Sequence, residues 1–146
     1  MIAPVRPEHP NRMERAAASL TRAAVRVPGL RRVLLSRVVA LPGYWLATAC
    51  AFVWGTILFG RHRSSHGLHV IHHLPRWSFG RGGTTIGAVY LTRDALSDRV
   101  LEHEAVHREQ WRRYGLSLPV LYLAAGRVAR TNRFEVEAGL EKGGYA

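Results

Sequence analysis

An α+β fold is predicted for this chain of 146 residues by three observations. Two β-favourable runs, at residues 68–71 and 84–92, lie together ahead of the C-terminal helical segments instead of alternating with them. Residues 97–115 carry helix start and stop signals at both ends, and residues 117–141 read as two more helices. A hydrophobic content of 47% in a chain of this length fits one compact core.

Residues 1–37 are rich in Ala and Arg and interrupted by proline, and Asn11 could cap a helix through Met13, Ala17, Leu20 and Ala24. They read as a basic arm, partly disordered or amphipathic, ahead of a single domain at 38–146. Residues 38–60 carry no charge and are long enough for a membrane crossing. Pro42-Gly43 and several small residues dilute that signal, so a buried helix followed by a strand at 56–59 is preferred to a membrane segment. Arg31-Arg32 and the small residues at 47–49 leave an export signal as a weaker alternative. The expected location is cytoplasmic, with membrane contact through residues 1–60 left open.

Lys and Arg number 21 against 10 Asp and Glu, a net charge of +11. Twenty of the 21 are Arg, as codon usage in a GC-rich genome also produces, so net charge alone assigns no partner. The charge is uneven: residues 1–90 hold 12 Arg but only Glu8 and Glu14, whereas the remainder is nearly balanced. The Arg are scattered and no base-stacking platform is evident, which weighs against nucleic acid. Cys50 is the only cysteine, which excludes an internal disulfide, a four-thiolate zinc site and a cluster needing several thiolates. Four His at 66, 69, 72 and 73 match no ordered metal motif and are expected to be mostly exposed.

The chemistry sits in His103-Glu104-Ala105-Val106-His107. Ser97 or Asp94 can cap its helix, Asp98 suits the positive end of the dipole, and Gly115 suits the stop. Val100, His103, His107, Gln110 and Tyr114 then form one inward stripe, opposite Arg99, Glu102, Arg108, Glu109, Arg112 and Arg113. Imidazoles at i and i+4 project side by side and can both reach one Zn2+ at ~2.0–2.1 Å. Glu104, about 100° round the helix, would serve as general base for a water that attacks a carbonyl, and then as acid toward the leaving amine.

A catalytic zinc site needs a third protein ligand, and no His follows His107. A carboxylate must supply it, from Glu135 or Glu137 on the last helix. Spacing leaves the two nearly tied, because Asn132 and Glu135 also have the spacing of a reciprocal cap that would occupy Glu135.

These residues resemble the gluzincin metallopeptidases, in which His-Glu-x-x-His is followed one helix later by a Glu ligand, often in a Glu-x-x-Ala-Asp setting. Glu135-Val-Glu137-Ala138-Gly139 matches this up to the Asp, so the resemblance assigns the third ligand to Glu135 and leaves the outer carboxylate missing. It implies a minimal zincin-like core of a small sheet, the active-site helix and a Glu-bearing helix, with Zn2+ as cofactor and a peptide or protein as substrate. It implies a strand before the helix that pairs with extended substrate, a role residues 88–91 could fill. It also implies an oxyanion-stabilising Tyr or His, for which Tyr114, Tyr122, Tyr145 and His69 are candidates. The stretch from about Arg81 to Tyr145 further resembles small actinobacterial proteins, some labelled iron–sulfur oxidoreductases, a chemistry that the single Cys50 argues against. The competing reading is a non-catalytic, zinc-stabilised domain that binds a partner or a membrane through its basic arm.

Overall fold

The computed structural model describes residues 9–78 and 82–145. The first eight residues of the expected arm, and residues 79–81 between the two β-favourable runs, lie outside the described residues. The chain runs α1 (Arg12–Arg26), α2 (Leu30–Leu34), α3 (Arg37–Ile57), β1 (Arg61–Ser65), β2 (Leu68–His72), β3 (Gly83–Ile86), β4 (Val89–Thr92), α4 (Asp98–Tyr114), α5 (Leu118–Ala124) and α6 (Arg133–Ala138). A single 3-10 turn, Gly115–Ser117, joins α4 to α5. The fold is α+β, with a mixed four-stranded sheet in the order β1-β2-β4-β3, antiparallel except where β2 meets β4.

Helix α1 starts where Asn11 predicts. Asn11 Oδ1 accepts from the Glu14 N–H at 2.8 Å and Glu14 Oε2 accepts from the Asn11 N–H at 2.6 Å, a reciprocal cap. Glu14 is buried and its other oxygen accepts from the Arg127 N–H at 2.9 Å, which ties α1 to the loop after α5. The Asn11 hydrogen bond holds this carboxyl below the usual range against the opposing effect of burial, with Arg127 adding to the lowering. A depressed carboxylate contributes stability above its unfolded value and loses it as pH falls through the folded value. Glu14→Ala is therefore expected to loosen α1 at neutral pH, and acid to loosen it in the wild type, both read as faster tryptic cleavage within residues 12–26.

The uncharged segment becomes one helix of 21 residues, not a helix followed by a strand at 56–59. Packing decides this: Gly55 sits so close to Ile71 and Leu91 that an added Cβ would meet them at 2.7 and 2.9 Å, and the helical backbone brings it there. Pro42 lies inside this helix, in its second turn, where it cannot donate to the Val38 carbonyl. The first strand begins later, at Arg61, and is itself unforeseen because its residues are polar and exposed. Helix α3 is long and apolar enough to cross a membrane, with 33% of its apolar window buried.

The run expected as one strand over 84–92 is a hairpin. Gly87, at φ +61°, turns the chain so that Ile86 pairs with Val89. The turn fits against α3, where the Ala88 N–H donates to Thr48 Oγ1 at 2.9 Å. Strand β4 is consequently interior, and its alternation splits the core. Val89 and Leu91 join Ile71 and Ala51 on the α3 side, while Tyr90 joins Leu68, Val70 and Leu101 on the α4 side. A third cluster, around Tyr44, Ala47, Trp111, Leu118 and Phe134, binds α3, α4, α5 and α6 together.

The two C-terminal helices are shorter than expected. Helix α5 ends at Ala124, before Gly126 at φ +93°, and α6 ends at Ala138, before Gly139 at φ +94°. The segment after α6 folds back so that Gly143 lies against His103.

Candidate metal centre

Helix α4 is capped by Ser97, whose side chain accepts from the Val100 N–H, and stops at Gly115. At Gly115 a Cβ would meet the Ala40 carbonyl oxygen at 2.5 Å, so a side chain there would prevent the contact between α4 and α3. The buried face of α4 is wider than the predicted stripe. Leu101, Glu104 and Trp111 are buried along with His103 and Gln110, because the sheet covers one flank and α6 the other.

The two histidines meet Glu135 from α6. His103 Nε2 and His107 Nε2 lie 3.0 Å apart, and Glu135 Oε2 and Oε1 lie 3.2 and 3.6 Å from them respectively. One ligand atom from each residue falls within 4.8 Å of the others, a group that could hold a metal ion. Glu135 is not consumed by its own helix start: Asn132 Oδ1 accepts from the Phe134 N–H at 3.0 Å, and Asn132 also donates to the Tyr122 and Gly126 carbonyls. Glu137 is the exposed neighbour and accepts from Gln110 Nε2 at 2.9 Å. Spacing could not separate these two carboxylates, whereas the fold does.

The outer partners determine the state of the rings. His103 Nδ1 lies 3.0 Å from the Gly139 carbonyl, which can accept but not donate, so Nδ1 carries the proton. Gln110 Nε2 donates to the Phe134 carbonyl and to Glu137, which leaves Gln110 Oε1 to accept from His107 Nδ1 at 2.8 Å. With the proton on Nδ1, the uncharged form of each ring turns an Nε2 lone pair inward, toward the other ring and toward a carboxylate. Glu135 Oε2 is buried and, among the described residues, has no hydrogen-bond donor despite its nearness to His103. Acceptors alone, converging at this distance, repel unless a cation lies between them.

The outer partner of His103 is thus a backbone carbonyl, that of Gly139. No residue-type signal could have announced a backbone carbonyl. Gln110 did carry one, standing three residues after His107 on the inward stripe.

Glu104 is buried, and its Oε2 accepts from Thr85 Oγ1 at 2.8 Å. Burial raises its pKa against the lowering effects of His107, Thr85 and His103. Glu135 is held well below the usual carboxylate range: burial opposes ionisation, but His103, His107 and the Tyr122 hydroxyl together outweigh it. Burial disfavours a charged His107, yet Glu135, Glu104 and Gln110 prevail and raise its pKa. That demand for positive charge is the one a metal would meet.

The oxyanion candidates separate by position. Tyr122 donates its hydroxyl to Glu135 Oε1, and Tyr145 places its ring 6.0 Å from that of His103. Tyr114 instead packs edge-on against Phe134 and lines a different groove. His69 lies on the α3 side of the sheet, with its ring against Phe52 and its Nε2 2.8 Å from His62 Nδ1. Strand alternation sends it away from α4. Of the other clustered histidines, His66 and His73 are exposed and His72 is half-buried.

In front of His103, Glu104, His107 and Glu135 opens a cavity of about 420 Å³. Its walls include Thr84 and Thr85 of β3, Trp111, Leu118, Tyr122 and Tyr145. Trp111 Nε1 donates to the Thr85 carbonyl at 2.8 Å and fixes β3 against α4. The strand with an unpaired edge beside the cavity is thus β3. Residues 88–91 cannot pair with a substrate, because β4 is bonded on both sides. Comparison with protein families, with curated proteins and with solved structures finds no significant match to this chain.

Proposed function

We propose that this protein is a small zinc-dependent hydrolase acting on peptide bonds, with His103, His107 and Glu135 as metal ligands and Glu104 as general base. The observation that carries the reading is the convergence of three acceptor-only groups at the floor of an open cavity, with a further buried carboxylate, Glu104, on the same wall. Two imidazoles and one carboxylate suit zinc, and three protein ligands with space beyond them suit a catalytic site better than a closed structural one. The cavity volume falls within the range of small-molecule sites, which favours catalysis over a purely stabilising metal.

When bound, zinc would polarise the scissile carbonyl and acidify the attacking water. Glu104 takes the proton from that water. Thr85 occupies Oε2, so Oε1 receives the proton and passes it to the leaving amine. Tyr122, which donates to Glu135, would steady that ligand, and Tyr145, whose ring lies 6.0 Å from that of His103, would supply the hydroxyl for the developing oxyanion. The free edge of β3 is the strand along which an extended peptide would lie.

Incubation with a mixed peptide library, read by mass spectrometry, tests the reading. Cleavage that stops with a chelator and returns with zinc is expected; a zinc-loaded protein that cleaves nothing would favour the stabilising role. Gln110→Ala should weaken zinc binding by about 10–100-fold in a chelator competition, because His107 loses the acceptor that orients it.

A further inference from the structure

Among the described residues, nothing covers the side of α3 that faces away from the sheet. Val38, Trp45, Leu46, Val53 and Ile57 are all exposed on it, from 83% for Val38 to 54% for Val53, and Phe59 beyond its end is 93% exposed. No charged residue occurs from Val38 to Gly60. Large apolar patches of this kind mark an interaction surface. The patch continues into a groove of about 950 Å³ between α1, α2, α3 and α5, with Leu20, Leu34, Val39 and Leu121 in its walls and Arg31 beside them.

The opposite side of α3 is fixed to the domain along its length. Gly43 meets Leu116, Tyr44 and Ala47 join the Trp111 cluster, Thr48 holds the β3-β4 turn, and Ala51 and Gly55 meet the sheet. A helix attached in this way cannot cross a bilayer without drawing the sheet and its polar strand β1 into lipid. It can lie in the plane of a membrane surface, apolar side down.

Charge identifies the surface. No Asp or Glu occurs between Glu14 and Asp94, a span that contains eleven Arg, and Glu14 itself is buried. Arg31, Arg32 and Arg37 stand at the approach to α3, and all are exposed. An apolar helix face carrying Trp45, with cationic side chains at its approach and no Asp or Glu in the surrounding stretch of sequence, matches an interface rich in anionic headgroups.

We propose that α3, with the adjoining groove, docks this protein in the plane of an anionic bilayer surface. The full-length protein should float with vesicles of phosphatidylglycerol and phosphatidylcholine in equal parts. It should bind at least about tenfold more weakly to phosphatidylcholine alone, and lose a similar factor in about 1 M salt, where the screening length is ~3 Å. Trp45→Glu combined with Val53→Glu should abolish flotation while leaving zinc content unchanged, which reports that the variant has folded.

Tryptophan fluorescence of the wild type gives a readout independent of any variant. Lipids brominated near the headgroup should quench it more than lipids brominated at the chain ends. Failure to float with the anionic vesicles would overturn the proposal, as would deeper quenching from the chain ends, which indicates a crossing. A solution dimer that the double variant dissociates would also overturn it, since a second copy would then cover the face.

Discussion

Glu135→Ala is expected to leave the purified protein without stoichiometric zinc after dialysis at neutral pH, while Glu137→Ala keeps it. The contrast is sharp because the two carboxylates stand two residues apart on a six-residue helix yet have different surroundings. Glu135 is buried at the two inward Nε2 atoms, whereas Glu137 is exposed and serves Gln110. Loss of Glu135 leaves two imidazoles and no anion, so the fall in affinity should exceed the ~10–100-fold cost of losing an outer partner. Elemental analysis of the two variants beside wild type decides it. Zinc lost from Glu137→Ala alone would exclude Glu135 as the third ligand. Tyr122→Phe is the useful companion, since it removes the hydroxyl on Glu135 Oε1 and leaves the ligand in place.

Glu104→Gln is expected to keep its zinc and lose peptide cleavage by about 10²–10⁴-fold, the usual contribution of a positioned acid–base group. The amide retains size and can still meet Thr85, but it cannot take a proton from water. Full activity in a zinc-loaded Glu104→Gln protein would end the proposed mechanism. The pH profile of the wild type supplies a second check. Burial raises the Glu104 pKa above its ordinary value of 4.5, and the base must be ionised, so the acid limb of kcat/KM should lie above that value. Thr85 donates to the carboxylate and favours its ionised form. Thr85→Ala should therefore move the limb to still higher pH.

Much of the site could be read from local pattern. The spacing of His103 and His107 places them together on any helix, and the caps at Ser97 and Gly115 lie within that helix's own residues. Asn11 announced α1 for the same reason. Elements whose form depends on contacts with distant residues differ from what local pattern predicts. Residues 56–59 have strand-favouring side chains, but Gly55 has to reach Ile71 and Leu91, and the helix continues to Ile57. The run at 84–92 reads as one strand until Gly87 is seen to turn against Thr48. His69 was weighed as an oxyanion donor without knowledge of which face of the sheet would carry it. The uneven charge, first set aside as codon usage, gains meaning once α3 is seen to leave its apolar side uncovered.

The α+β class and the helix that carries both histidines were legible in the amino-acid sequence. Those conclusions rest on periodicity and capping, which act over a few neighbouring residues. The tertiary structure brings Glu135, which the resemblance assigns and spacing left tied with Glu137, to the two rings, and nothing short of it could have told that a glycine carbonyl and Gln110 orient them or that β3 is the open edge. Each of these is a distance between groups far apart in the chain, set by how α6 and the sheet pack on α4, and a local pattern holds no record of such distances.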